Sequence, residues 1–510
     1  MITVDDIYGT KPRFYRRLYT SGLGGMKNRY EVFQEEFLSE LDPSGHKIND
    51  PTIYENIIKR VPRKNAYGEE LKDEMGNTVM TITEIPIERV SVPLQEVIKT
   101  KQVSNITAEP TKFVHLKMNP NDKEHEIFVD LKNGWVTKNM ETAKYEFVNS
   151  VKCTGDAAFC AIIYNKAYSY KVFSRLNGDT LHPIFDSLGN LKLFGRGYTV
   201  YDYSKQEDVP CLDIWDDKYL STYKYSVDIE DDDINSNIKI GWDDKDSFVQ
   251  KSIDANDQEG WILVDRRLHG FSRIPIVYQK DEIGACWSPV QDLIDKLELA
   301  LSQLAENNKS YAFRIMIIKG GFNIQGDLKG QARAIMLDDE KADAKFLEKA
   351  DASDSFELQL KTTLQHILLG SFTVVPPEIN GDISGVAVKI LYSPAFEQGI
   401  KDINMFNKSM DDIIKLFKEG YGLEQGNIAG YKSLAIRGDM MPYIPQNEYE
   451  KQQNLTLGVQ NGYLSKESAS DQNTTYSSPD EKQRLVNQDN YQSELEANNQ
   501  RTQLVGNPTV

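Results

Sequence analysis

No apolar run in this chain approaches the roughly 18 residues that a bilayer span requires, so a membrane-embedded role is not expected. The opening stretch MITVDDIYGTKPRFYRRLYTSG lacks the apolar core of a secretory signal, which points to a chain made in the cytosol. Cysteine is scarce. The four thiols, Cys153, Cys160, Cys211 and Cys286, form no CxxC pair and read as reduced core residues, with Cys286 beside Trp287. None of the six histidines stands four residues from another, so no metal site is readable from spacing; His366 falls between apolar helical positions, as a core or interface histidine would. P-loop, G-x-S-x-G and H-E-x-x-H signatures are all missing, which argues against the common hydrolase and nucleotide-binding classes. Basic charge is also short. The net charge of −18 is the wrong sign for a protein that grips phosphates through a Lys/Arg face.

What is present is an ordinary globular balance, 40% hydrophobic and 27% charged over 510 residues, enough for two to four folding units. Residues 1–110 mix helical patterns with polar loops. In KNRYEVFQEEFLSEL, Tyr30, Phe33, Phe37 and Leu41 share a helical face, and an early basic cluster (Lys11, Arg13, Arg16, Arg17, Lys27, Arg29) suits a solvated face or local ion pairs, or else a contact with a phosphate backbone or an acidic partner. Residues 111–280 read as β-rich, with runs such as AAFCAIIYN and LKLFGRGYTVYDY between turn signals. The acidic stretch DIEDDDINSN lacks the glycine and closing glutamate of a calcium loop. GWILVDRRLHG and RIPIVYQKDE then read as two strands joined through Gly270.

The clearest helix covers 288–309, with Ser288, Pro289 and Gln291 as a capping box. Val290, Leu293, Ile294, Leu297, Leu301 and Leu304 form its apolar stripe. FRIMIIKGG and ARAIMLDD follow as two strands of a small insertion, and a second amphipathic helix starts at Asp354 with Glu357 as its capping partner and runs to near Gly370. The stretch PPEINGD ends it, because proline cannot continue a helix and Gly381 frees the chain to turn. SGVAVKILYS restarts as a helix, and Pro394 either kinks it or, capped by Ser393, begins another through Phe396, Ile403, Met410 and Phe417. A strand at SLAIRG, a helix over about 446–460 stopped by Gly462, two further helix starts and a polar tail complete the pattern.

Taken in order, these parts resemble the portal (head–tail connector) proteins of tailed bacteriophages. The resemblance rests on HGFSRIPIVYQKDEIG (Gly270 to Val277), SGVAVK (Ser384 to Lys389) and GYLSKES (Gly462 to Ser468), and it covers about 260–490 well. It implies an α+β fold with a portal-type wing, stem and clip: two stem helices flanking a small α/β clip, a β-rich wing, a kinked long helix after a tunnel loop and a short helical C-terminus. By position, the wing is 1–285, the first stem helix 286–310, the clip 311–352 and the second stem helix 353–373. The tunnel loop and helix are 374–393, the wing's long helix and strand 394–460, and a small crown with its tail 461–510.

The resemblance further implies a non-enzymatic ring of about twelve identical subunits at one capsid vertex, closed by a head-to-tail interface. Such a ring conducts double-stranded DNA in packaging and ejection. Its other partners are the terminase large subunit, head-completion or adaptor proteins, and the major capsid and scaffolding proteins. It needs no cofactor or metal, assembles in the host cytoplasm and ends in the virion. Residues expected against DNA in the tunnel loop are Pro377, Glu378, Asn380, Gly381, Asp382, Ser384, Gly385 and Lys389. Asp292, Asp295, Glu298 and Glu306 outnumber Lys296 and Lys309 on the polar face of the first stem helix and are expected to line the channel, repelling phosphates so that DNA slides. Lys319, Lys329, Arg333, Asp338 and Asp339 are expected on the clip, where motor and adaptor dock, and Pro394 at a helix kink. Two other readings stay open on the sequence: another virion structural or adaptor protein, and an acidic multidomain enzyme.

Overall fold

The computed structural model describes residues 37–63, 72, 78–117, 121–203, 206–226, 238–242, 248–252, 260–312, 316–319, 322–324, 335–337, 343–346, 353–375, 385–443, 448–466 and 469. It is a mixed helix-and-sheet protein in two units, one of residues 1–375 with 394–443 and one of 376–393 with 444–510.

The larger unit begins with a helical turn at 37–41, followed by the hairpin β1 (Ile57–Pro62) and β2 (Met80–Ile85) and by α1 (Leu94–Thr107). β3 (Lys112–His115) leads into α2 (Asp122–Thr137) and α3 (Met140–Thr154). These two helices overturn the expectation of β structure from 111 onward. Their signals are local: Asn121 and Glu124 form a reciprocal capping box, and Gly155, at φ 81°, stops α3 in the left-handed conformation.

From there the chain is β as expected, through β4 (Asp156–Tyr164), β5 (Ala167–Phe173), β6 (Thr180–Phe185), β7 (Leu191–Asp202), β8 (Glu207–Trp215) and β9 (Tyr219–Ser226). β10 (Ile238–Trp242) and β11 (Phe248–Ser252) pair as a hairpin, before β12 (Gly260–Leu268) and β13 (Ile276–Lys280). β12 and β13 do flank Gly270, at φ 83°, but they lie in different sheets. One sheet has the order β12-β9-β8-β7-β6 and the other β13-β4-β5.

A turn of 3-10 helix at Ser288–Val290 opens α4 (Gln291–Ala312). The expected capping box is absent: Trp287 holds the cap position without a side-chain bond, Ser288 Oγ has no partner, and Gln291 bonds Asp295 instead. Both strands expected in the insertion are present, as β14 (Met316–Lys319) and β16 (Ile335–Leu337), and among the described residues two more, β15 (Phe322–Ile324) and β17 (Asp343–Phe346), join them. β14 pairs with β17, and β15 with β16, one pair nested in the other along the sequence. α5 (Ser353–Gly370) returns. α6 (Gly385–Leu391), in the smaller unit, and α7 (Ser393–Glu424) are separate helices divided at Tyr392, which settles the choice at Pro394 in favour of a new helix start. α8 (Ile428–Ser433) and β18 (Ile436–Asp439) follow, β18 pairing with β3. α9 (Glu448–Gln460) belongs to the smaller unit, and Gly462, at φ 71°, lets the chain fold back so that Tyr463 and Leu464 donate to the Gly458 carbonyl.

β4 explains the layering. Ala157, Phe159 and Ala161 point into a core with α2, α3 and α7, where Trp135 and Tyr168 each meet Phe417 edge-on at 5.2 and 5.1 Å. Ala158 and Cys160 point the other way, into a core with Phe173, Phe194 and Trp215 of the two sheets. The apolar run AAFCAII is therefore a strand buried on both faces. A third core joins Phe37, Ile98 of α1, Cys286, Trp287, Ile294 and Leu297 of α4, and Ile367 of α5.

Gly420 and Gly399 both lie in α7 but differ in what surrounds them. A methyl group on Gly420 would overlap the buried Tyr168 ring, whereas one on Gly399 would first meet Pro442 at 3.5 Å. Gly420→Ala is expected to cost about 1–3 kcal/mol in denaturant unfolding. Gly399→Ala is expected to be neutral or to gain up to about 1 kcal/mol from helix propensity. Equal effects at the two positions would contradict this packing.

Candidate functional site

α4 carries most of the candidate channel residues, so its polar face decides where they point. An extended segment, 86–93, runs antiparallel along that face. The Val92 amide donates to Glu298 Oε1 at 2.8 Å, the Val90 amide to Ser302 Oγ at 2.9 Å, and the Glu88 amide to Glu306 Oε2 at 3.1 Å. The fit is metric. Four residues of helix advance about 6 Å and two residues of extended chain about 6.6 Å, so every second amide meets every fourth side chain. Lys309 Nζ closes one end on Glu88 at 2.6 Å, and Gln95 donates to Gln291 at 3.1 Å at the other.

The centre of this strap is a buried ion pair. His46 Nδ1 lies 2.6 Å from Glu298 Oε1, and His46 Nε2 lies 2.7 Å from the Glu40 carbonyl. Both ring nitrogens face acceptors, so the imidazolium is the form that satisfies them. Burial alone would lower the His46 pKa, but the hydrogen bond and charge of Glu298 together raise it above its ordinary value. Lys47 adds a bond to Asp295 at 2.9 Å, and Trp287 Nε1 donates to Glu40 Oε2 at 2.9 Å.

This arrangement takes Glu298 out of the acidic face expected on α4 and gives two of the other acids partners. Glu298 is 1% exposed and inside the protein, while Asp295 and Glu306 are engaged by Lys47 and the Glu88 amide. Of the four acids only Asp292 is open, and it shares the exposed face of α4 with Lys296, Gln303 and Asn307. Carboxylates on the polar side of a helix look solvated in a sequence; the donors that claim Glu298 and Glu306 include backbone amides of 88–92, which no side-chain pattern reveals.

The other candidates divide. Pro377, Glu378, Asn380, Gly381, Asp382 and Ser384 lie outside the described residues, as do Lys329, Arg333, Asp338 and Asp339. Gly385 is the first residue of α6, where Lys389 is exposed beside an exposed Ile390; Lys319 ends β14; Pro394 is the second residue of α7. His366 is exposed, not in a core. α5 leaves apolar groups open: Leu358 and Leu369, each 66% exposed, stand about three turns apart on one face. The four thiols are free and buried, and burial pushes Cys153 up to about 12, far from a reactive thiolate. Among the described residues no cluster of three or more His, Cys, Asp or Glu is placed to hold a metal ion, and no helix is long and apolar enough to cross a membrane.

A raised histidine pKa stabilises the fold below its unfolded value, about 6.5, and that contribution is lost as pH rises through the folded value. Glu298→Ala strands a buried charge at pH 6 and is expected to cost about 3–5 kcal/mol there in urea unfolding. At pH 9, where His46 can shed its proton, the penalty is expected to shrink. An equal penalty at both values would show that His46 is neutral throughout.

A model of the family described as phage portal protein, SPP1 Gp6-like, matches residues 26–498. Among solved structures, a chain from the "neck of empty GTA particle computed with C6 symmetry" is similar at 12% identity and a TM-score of 0.38, covering 72% of this chain and 86% of that one. A chain from the "virion of native gene transfer agent (GTA) particle" is similar at 12% identity and a TM-score of 0.33, with the same coverage. No curated protein matches the sequence. The family that the ordered sequence elements resemble is thus the one matched over nearly the whole length, and the chain belongs to the SPP1 Gp6-like phage portal protein family.

Proposed function

We propose that copies of this chain close into a ring of about twelve at one capsid vertex, and that double-stranded DNA passes through the ring in packaging and ejection. The family match over residues 26–498 carries this reading. In it, residues 1–285 and 394–460 form the wing, 286–310 and 353–373 the stem, 311–352 the clip, 374–393 the tunnel loop and helix, and 461–510 a small crown with its tail. The clip receives the terminase large subunit and later the head-completion proteins; the wing meets capsid and scaffolding proteins. The ring acts as a structural part and leaves nucleotide hydrolysis to the motor.

Physical support comes from charge and from α5. A ring of subunits each carrying −18 repels phosphates and favours sliding over grip. The revised channel face of α4 (Asp292, Lys296, Gln303 and Asn307) is mixed and nearly neutral, so the repulsion would come from the ring as a whole. Leu358 and Leu369 give α5 an apolar face for a neighbouring copy.

Negative-stain images of the purified full-length chain are expected to show closed rings, and a species that stays monomeric at every concentration would sink the reading. Leu358→Glu with Leu369→Glu is expected to shift the chain to monomers in sedimentation; rings unchanged by both would remove α5 from the interface. Deleting 378–383 is expected to leave rings intact while DNA packaging or retention falls. Packaging at the native level would make that stretch a plain connector.

A further inference from the structure

A cavity of about 100 Å³ lies within the larger unit, away from the strap. Its lining includes Gln102 of α1, Lys152 of α3, Asp281, Cys286, and Lys401 and Asp402 of α7. Lys152 Nζ bonds Asp402 Oδ1 at 2.6 Å and stands 3.8 Å from Asp281 Oδ2. Gln398 Nε2 also donates to Asp402 Oδ1, at 2.9 Å. Gln102 Nε2 donates to the Ser371 carbonyl at 2.8 Å, just past the end of α5. That accounts for one end of each polar group. The other ends are orphans: Asp402 Oδ2 and Gln102 Oε1 receive no hydrogen bond from any protein group, although their residues are only 3% and 4% exposed.

Both residues line the cavity, and two buried acceptors without donors are costly, because neither water nor protein then replaces the lost hydration. The charges do not close either. Asp281 and Asp402 face a single buried ammonium, Lys152, which leaves one negative charge over. Lys401 lines the mouth but is exposed. Burial pushes the Asp402 pKa up against the pull of Lys152, and the charge of Asp281 adds to the rise.

We infer that this cavity binds a small monovalent cation, held by Asp402 Oδ2 and Gln102 Oε1 with Asp281 nearby. Oxygen acceptors of this kind suit a hard cation or an ammonium ion. One positive charge balances the surplus. A divalent ion would overshoot it and would sit beside the Lys152 ammonium. The bound ion joins α1, which holds the end of α5 through Ser371, to the first turns of α7. It therefore stiffens the joint between the two helices that precede and follow residues 371–392. The site is independent of ring formation.

The test is thermal unfolding of the full-length chain at pH 7.5 and constant ionic strength, in chloride salts of sodium, potassium or ammonium, against N-methylglucamine, which is too large for the cavity. At least one small cation is expected to raise Tm by a few degrees in a saturable way. The rise is expected to vanish in Asp402→Asn, which removes the carboxylate charge, and to persist in Lys401→Met. The same Tm in all four salts would overturn the proposal and leave water or a proton as the occupant, and so would an undiminished rise in Asp402→Asn. If Asp402→Asn does not fold, rubidium-soaked crystals of the native chain decide: anomalous density between Asp402 and Gln102 supports the site, and its absence at saturating rubidium overturns it.

Discussion

The pitch of an α-helix and the stride of an extended chain are close enough to lie side by side, and the larger unit is organised around one use of that coincidence. Among the described residues segment 86–93 pairs with no strand, so its amides need other acceptors. α4 supplies them at Glu298, Ser302 and Glu306. Because the acceptors are side chains, α4 keeps its own backbone ladder while serving as a template for a neighbour. The buried His46–Glu298 pair holds in place the same carboxylate oxygen that accepts from the Val92 amide, so that end of the segment has a fixed partner. α1, which follows directly, is thereby aimed at the core that it shares with α4 and α5.

The fold has a second organising element in α7. Its apolar side, Ile403, Phe406, Met410, Ile413 and Phe417, is the common wall against which α2, α3 and the three-stranded sheet pack. Its polar positions are also occupied inward. Glu419 accepts from the Ser272 amide and hydroxyl, Glu424 from the Tyr168 amide, and Lys418 donates to the Leu434 carbonyl. These three charged residues tie α7 to neighbouring backbone, and the tied segments cannot move without giving up partners that water does not easily replace.

How much of this was legible in the sequence depends on whether the signal is periodic. α4 and α7 were readable because their apolar residues repeat at helical spacing, and the β region from 156 onward because its turns are marked by glycine and asparagine. The order of those elements was enough to suggest the family. α2 and α3 were missed although Leu131 and Trp135, then Met140, Ala143, Phe147 and Val151, repeat every three or four residues; the strand-like run after them dominated the reading. The partners of the acids on α4 were hidden for a different reason. Sequence shows that Glu298 is acidic and borders an apolar stripe, but the choice between solvent and a backbone amide lies with a segment some two hundred residues earlier. Of the two readings of His366, exposure removes the core and leaves an interface, since its apolar neighbours on α5 are themselves partly exposed.

β4 has a consequence of its own. Most strands have a wet side, and a mispaired register there costs little more than a few rearranged surface groups. β4 has none over its first half: odd positions belong to one core and even positions to another. A slip by one residue would exchange Phe159 with alanine or cysteine in both cores at once. The segment is therefore a built-in check on correct folding: the helical layer and the five-stranded sheet can be completed together only around the one register that suits both.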